Sequence, residues 1–194
     1  HVDGDTTLSP GSYEAALRSA GGGLFAVDEV MTRKVTNAFV ATRPPGHHAE
    51  MATAMGFCLF NNAAIAARHA KATYGAERVA IIDFDVHHGN GTQDIFWSDP
   101  SVMYLSTHEM PLYPGTGALS ETGAHNQIVN APLRAGDGGD QFREAMDTAI
   151  LPRMRAFRPD LVIISAGFDA HERDPLAEIN LTEADFDWAT KRLM

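Results

Sequence analysis

The sequence offers almost no sulfur chemistry. A single cysteine, Cys58, stands among 194 residues. An intrachain disulfide is therefore excluded, and so is a Cys-rich zinc cluster. Basic residues are also scarce, 15 Lys and Arg against 25 Asp and Glu, for a formal net charge of -10. That balance lacks the basic footprint that sequence-nonspecific nucleic-acid binding needs, so no direct nucleic-acid contact is expected. No apolar run approaches the roughly 20 residues of a membrane span. No signal peptide is visible, and the expectation is no membrane association and a cytoplasmic location. The chain begins at His1 rather than Met, its first residues read as a loop, and a helix begun at Thr182 stops at Met194. Both ends read as cut from a larger protein. There is no internal repeat and no linker that would split the chain.

What is present is ordinary globular material, 44% hydrophobic and 21% charged, and long enough for one domain with a real core. The most informative stretch is Val79 to Gly91, VAIIDFDVHHGNG. Its apolar start predicts a buried strand. Side chains alternate across a strand, so Asp83, Asp85 and His87 share a face if the extended geometry persists past Ile82. A buried strand that ends in acids and histidines needs partners or a metal for its charges.

The remaining apolar runs repeat this theme. Ala38 to Ala41 predicts a short strand leading into the rigid loop Arg43-Pro44-Pro45-Gly46-His47-His48, where the prolines forbid helix. Val102 to Ser106 predicts a strand leading to His108, and Leu161 to Ser165 a strand leading to Asp169. Helices are expected from Ser9-Pro10 to the glycines at 21–23, over Phe25 to Met31, over Asn61 to Tyr74 with Gly75 as C-cap, and over Gln141 to Phe157 with a bend near Pro152. A capping box of Thr182 with Asp185 opens a last helix. Continuous apolar strands alternating with helices define an α/β class with a mostly parallel sheet covered on both faces, that is, three layers. Ligands of such sheets bind beyond the carboxyl ends of the strands, where the His and Asp residues collect.

Asp85, His87 and Asp169 make a sensible metal shell, since imidazole and carboxylate both bind zinc and a catalytic site keeps one open position. Oxygen-rich ligation leaves Fe(II), Mn(II) and Co(II) as alternatives. His47 and His48 can move a proton near neutral pH, and Asp83 can orient one of them. Metal, water and a histidine pair point to hydrolysis of an amide, ester or similar bond. Cys58, His69, His125 and His171 read as packing or surface residues, and the glycines at 115–117 do not form a phosphate loop.

The segments RPPGHHAE (43–50), GFCLFNN (56–62), DFDVHHGNGTQ (83–93), YPGTG (113–117) and SAGFDAH (165–171) closely resemble the histone deacetylase and acetylpolyamine amidohydrolase family. Asn90 stands where class I enzymes tend to carry Asp, so the resemblance is to the class II and bacterial branch. It implies an arginase-like, deacetylase-like α/β fold and one zinc ion on Asp85, His87 and Asp169. It implies that His47 and His48 contact the attacking water, with His48 as general base and then acid and His47, paired with Asp83, as electrostatic partner. Gly56, Phe57 and Tyr113 would line the tunnel for the acyl-lysine stem. Asp3 or Asp5, in the loop before the first helix, would grip the substrate backbone. A structural potassium ion would use Asp83, Asp85, His87, Ser106 and Thr107. The substrates implied are acetylated lysine peptides or acetylpolyamines.

Residues 1–194 are thus expected to be a single deacetylase catalytic domain, incomplete at both termini. The family's Gly-rich segment, with a tyrosine that hydrogen-bonds the substrate carbonyl, has no counterpart before Met194. The loss of such a donor typically costs about a hundredfold to a thousandfold in rate, so this chain is expected to be weakly active or inactive. Two rivals stand beside the deacetylase reading. One is a metal-bearing module that binds acyl groups without turnover. The other is a dinuclear manganese ureohydrolase, disfavoured because 83–88 lacks the extra Asp pattern of a second metal.

Overall fold

Val79–Asp83 (β1) and Leu161–Ser165 (β4) pair in parallel, as do Val79–Asp83 and Val102–Glu109 (β2). A further strand, Ile128–Leu133 (β3), pairs in parallel with β2 and gives the order β3-β2-β1-β4. All of these strands start at one end, so their carboxyl ends share one edge. The computed structural model describes residues 1–194.

Alternation along the strands feeds two cores. Val79, Ile81, Val102 and Tyr104 pack with Val27, Ala64, Ala67 and Ala70 beneath the helices Ser12–Met31 (α1) and Asn62–Tyr74 (α2). Ala80, Ile82, Met103 and Leu105 face the other way, onto Phe142, Met146, Ile150, Leu151 and Phe186. Those residues belong to Gly139–Ala145 (α4), a π turn over Met146–Ile150, Leu151–Phe157 (α5) and Glu183–Leu193 (α6). Helices therefore cover both faces of a parallel sheet, as the apolar strands require. A short helix, Asn90–Phe96 (α3), follows the β1 turn. No helix is long and apolar enough to cross a membrane.

Several expectations need correcting. The helix expected to end at the glycines continues through Gly21, Gly22 and Gly23 to Met31. Glycine in a helix costs about 1 kcal/mol relative to alanine, but here it permits close approach: a Cβ on Gly23 would lie 3.7 Å from the Ala66 side chain of α2. Packing against α2 offsets propensity. The helix starts at Ser12, after Gly11 at φ 91°, rather than at the expected Ser9-Pro10. Ala38–Ala41 forms no strand, and Phe39 is 77% exposed; an isolated apolar quartet has no ladder to join. Strand β3 escapes the apolar-run criterion because it contains Asn130 and Pro132. Its edge position tolerates the missing proline N–H, and Asn130 Nδ2 donates to Gln93 Oε1 at 2.8 Å. The bend expected near Pro152 is the π turn just before it, which absorbs the lost donor. The expected caps hold: Asn61 Oδ1 accepts from Ala64 N at 3.0 Å, Gly75 is left-handed at φ 70°, and Asp185 Oδ2 accepts from both Thr182 N and Oγ1 at 2.9 Å.

Candidate active site

Strand β1 stops at Asp83, so the extended geometry does not carry through to His87. Two local turns take over. Asp83 Oδ1 accepts from Asp85 N at 3.2 Å, and Asp85 Oδ1 accepts from His87 N at 2.8 Å. These side-chain turns are what Asp favours next to a strand end. Alternation still survives in burial: Phe84 and Val86 are buried in the core under α6, while Asp85 and His87 are only half-buried. From β4, Asp169 arrives by accepting from Val86 N through Oδ1 at 3.0 Å.

The result is a tight three-residue cluster. Ligating atoms of Asp85, His87 and Asp169 all lie within 4.8 Å of one another. His87 Nδ1 sits 3.0 Å from Asp169 Oδ2 and 3.2 Å from Asp85 Oδ1. Burial alone would lower the His87 ring, but hydrogen bonds to Asp169 and Asp85 push it up to about 10. Burial would raise the Asp85 carboxyl, but His47 and His87 hold it well below the usual range. The donor set fits a divalent metal: two carboxylates converge on one ring nitrogen, and no side chain fills the space beside Asp85, because Gly167 has no Cβ. A Cβ there would lie 2.1 Å from Asp85 Oδ2.

His47 and His48 sit on a loop braced by both helices of one face. Ser19 Oγ of α1 and Asn62 Nδ2 of α2 both donate to Pro44 O, at 2.9 and 3.2 Å. The imidazoles lie 4.0 Å apart, centroid to centroid. His47 Nδ1 donates to Asp83 Oδ2 at 3.0 Å, and its Nε2 lies 3.9 Å from Asp85 Oδ1. His48 Nδ1 pairs with Asn90 Oδ1 at 2.8 Å. Burial lowers His47, but Asp83 and Asp85 outweigh it and push the ring up to about 9. Burial and the His47 charge push His48 down to about 4. In the metal-free site these opposite shifts favour charge on the first ring and a neutral second ring at neutral pH. Burial raises the Asp83 carboxyl, with the His47 charge opposing.

Tyr113 flanks the pair, with its ring 5.1 Å from His48 and 6.3 Å from His87. Phe57 is exposed on the same loop system, at a left-handed φ of 65°. Gly56 cannot carry a side chain, since a Cβ would lie 2.5 Å from the His48 ring. Half-buried Asp3 accepts from Thr6 N at 2.5 Å and Gly56 N at 3.2 Å, and so ties the N-terminal loop to the Gly56 turn. Ser106 and Thr107 are buried on β2 beside β1, and Asp83 is in register with Ser106.

His108, which the strand-end pattern gathers with the others, stays out of the cluster: it bonds Ser106 Oγ at 2.8 Å and Gly117 O at 3.0 Å. His88, next to the candidate ligand His87, points away and holds the 115–117 loop through Thr116 Oγ1 at 2.7 Å. Tyr104 was missed by sequence reasoning. Its Oη donates to Asp83 Oδ2 at 3.1 Å and accepts from Gly89 N at 3.0 Å. Only its parity with Asp83 across paired strands could have signalled it.

At the carboxyl edge of the sheet, two carboxylates and an imidazole that could hold a metal ion lie beside a tandem histidine pair. The whole chain, residues 1–194, matches the Histone deacetylase domain family, and the protein belongs to that family. It is 43% identical over 186 residues to the histone deacetylase-like amidohydrolase of Pseudomonas aeruginosa, covering 94% of this chain and 49% of that protein. It is 44% identical over 191 residues to the chloroplastic histone deacetylase 14 of Arabidopsis thaliana, covering 94% of this chain and 45% of that protein. An uncharacterized protein of Synechocystis is 47% identical over 193 residues, covering all of this chain and 63% of that protein. The crystal structure of the HDA15 HD domain superposes with a TM-score of 0.96 at 44% identity, over 100% of this chain and 56% of that one. That match establishes the arginase/deacetylase fold. The chain thus spans 45% to 63% of these relatives' own length.

Proposed function

We propose that the protein hydrolyses an N-acetyl amide, on a lysine side chain or a polyamine, with one zinc ion held by Asp85, His87 and Asp169. The observation that carries this reading is the convergence of those three side chains within 4.8 Å, directly beside two histidines set to different charge. The metal, when bound, polarises the acyl carbonyl and acidifies the attacking water. His48 is the neutral member of the pair. Its Nδ1 is engaged by Asn90, so its Nε2 takes the proton from water and returns it to the departing amine. His47 is held cationic by Asp83 and supplies positive charge as negative charge develops on the acyl oxygen. The uncharged acyl-lysine stem runs between the rings of Phe57 and Tyr113. Acetate and a free amine are the products. Ser106 Oγ donates to His108 Nδ1, which leaves its lone pairs free for a potassium ion shared with Asp83, Asp85, His87 and Thr107.

Metal analysis of the purified chain beside its Asp85→Ala variant tests the ligand assignment. One zinc per chain, lost in the variant, is expected; stoichiometric zinc that survives the substitution overturns it. Turnover of an acetyl-lysine reporter by the full-length protein, abolished by His48→Ala, tests the chemistry. Undiminished turnover in the variant overturns the role of His48.

A further inference from the structure

One contact at the edge of the site has no part in the chemistry above. Asn90 Nδ2 donates to Glu50 Oε1 at 2.8 Å, and it lies 3.3 Å from Met55 Sδ. Both partners accept and neither donates in this contact. An Asn side chain has one accepting and one donating end, which are interchangeable until the surroundings choose between them. Here the choice is forced: the amino end must face Glu50, so the carbonyl end must face His48. Asn90 Oδ1 can only accept, so His48 Nδ1 must carry the ring hydrogen. The lone pair of the neutral imidazole then lies on Nε2.

We propose that Glu50 is a positioning residue for His48, acting through Asn90: it selects the amide orientation that fixes the His48 tautomer. His47 needs no such device. Its Nδ1 meets the Asp83 carboxylate, both of whose oxygens accept, so no flip can reverse it. A carboxamide at position 90 leaves His48 neutral but introduces an ambiguity, and Glu50 removes it.

The backbone around Glu50 is held to suit this role. The segment 47–51 lies along α3 and is tied to it at both ends. Thr92 N donates to His47 O at 3.1 Å, and Met51 N donates to Asp94 Oδ2 at 3.0 Å. Between these ties Gly91 lets the chains touch, since a Cβ there would lie 2.2 Å from Ala49 O. Glu50 N also donates to Thr53 O at 2.9 Å. Glu50 and Asn90 are thus held opposite each other by contacts that do not involve their own side chains. Asn90 is 6% exposed, so water is a poor substitute for Glu50.

The tautomer is directly observable. Two-bond correlations from ring protons to ring nitrogens, recorded on the metal-free 15N-labelled chain near pH 7.5, distinguish the two forms without any assay of activity. His48 of the unmodified chain is expected as the Nδ1–H form alone. Glu50→Ala is expected to add a substantial Nε2–H population, because only the weak thioether acceptor remains. Glu50→Gln, which can still present a carbonyl, is expected to restore the Nδ1–H form. His47 serves as the internal control: held in its doubly protonated form by Asp83, its ring-nitrogen signals should not move in any variant. An unchanged His48 tautomer in Glu50→Ala overturns the proposal. So does a change that His47 shares, which would mark general loosening of the loop.

The consequence for rate rests on the deacylase reading. In the full-length, metal-loaded protein, Glu50→Ala is expected to lower kcat about tenfold with KM nearly unchanged. In an Asn90→Asp background the same substitution should cost nothing further, because a carboxylate has no wrong orientation. Equal losses in both backgrounds count against the proposal. A full-length protein that hydrolyses no acyl-lysine reporter removes the deacylase reading alone, and the tautomer measurement still decides the role of Glu50.

Discussion

Replacing Tyr104 by Phe removes one oxygen atom from the least accessible part of the site. Tyr104 is 0% exposed on β2, and burial pushes its phenol well above its ordinary pKa, so it remains a donor at any pH the fold survives. Its Oη makes a contact on each side. It donates to Asp83 Oδ2 at 3.1 Å and accepts from Gly89 N at 3.0 Å. A hydrogen bond to a charged group contributes about 1.5–3 kcal/mol, and orphaning a buried N–H costs about 1–3 kcal/mol. Phe is easier to bury than Tyr, which offsets part of this. The expected loss is about 3 kcal/mol, a large part of the stability of an ordinary domain. For a chain of this size that corresponds to a fall in Tm of about 10 °C.

Chemical denaturation followed by circular dichroism measures the loss, and Tyr74→Phe is the control. Tyr74 donates to Asp28 Oδ1 at 2.8 Å, but Asp28 is 41% exposed at its side chain, so water replaces the lost donor. The control should cost about 0.5 kcal/mol or less. A loss below about 1 kcal/mol in Tyr104→Phe refutes the reasoning. It would mean that a water enters beside Asp83 and restores both contacts, and that Asp83 is not held by a closed network.

In the metal-free chain the histidines predict a maximum of stability near neutral pH. His47 and His87 are raised from 6.5 to about 9 and about 10, so their stabilisation is complete below pH 6.5 and is lost as pH rises through those values. His48, His88 and His108 are lowered to about 4, 3 and 4, each chiefly by burial, so stability also declines as pH falls below 6.5. Monotonic behaviour between pH 4 and pH 9 in denaturation midpoints would contradict this. Zinc uptake must displace the proton on His87 Nδ1, so calorimetry in buffers of different ionisation enthalpy should report about one proton released per metal near pH 7.5; no buffer dependence would argue against His87 as a ligand. Gly167→Ala places a Cβ against Asp85 Oδ2 and should weaken metal binding at least tenfold in a titration while leaving far-UV circular dichroism unchanged. Unaltered affinity would show that Asp85 has room to move.

How far the sequence could be read depended on what kind of force shaped each part. The parallel sheet was legible because β1, β2 and β4 begin as continuous apolar runs, and full burial of β1 and β2 leaves those strands little other choice. Strand β3 was not, because Asn130 and Pro132 interrupt its apolar run: Asn130 is buried but paired with Gln93, and the edge place dispenses with the proline N–H. The unbroken α1 was hidden by its own glycines, whose fit against α2 is a tertiary fact with no local signature. Within the site, Asp85, His87 and Asp169 stood out as charges at the ends of buried segments. Asp83 could be placed near a histidine, but not its second donor Tyr104, which reads in sequence as one more aromatic in an apolar strand. Glu50 was equally silent, since its meaning depends on which end of Asn90 it faces.

The two histidines differ less in position than in what stands behind them. Their rings are 4.0 Å apart and both engage a partner through Nδ1. Behind His47 is Asp83, the last residue of β1; behind His48 is Asn90, the first of α3. Both partners come from the two ends of one connection, the same turn that presents Asp85 and His87. A carboxylate at one end and a carboxamide at the other suffice to make one ring a cation and its neighbour a neutral base. Two carboxylates would draw both rings towards the charged form, and the mutual repulsion of adjacent cations would then decide which ring gave up its proton. With Asn90 the division is fixed before any substrate arrives. The requirement that remains is orientational, and it falls on a residue outside the turn, Glu50.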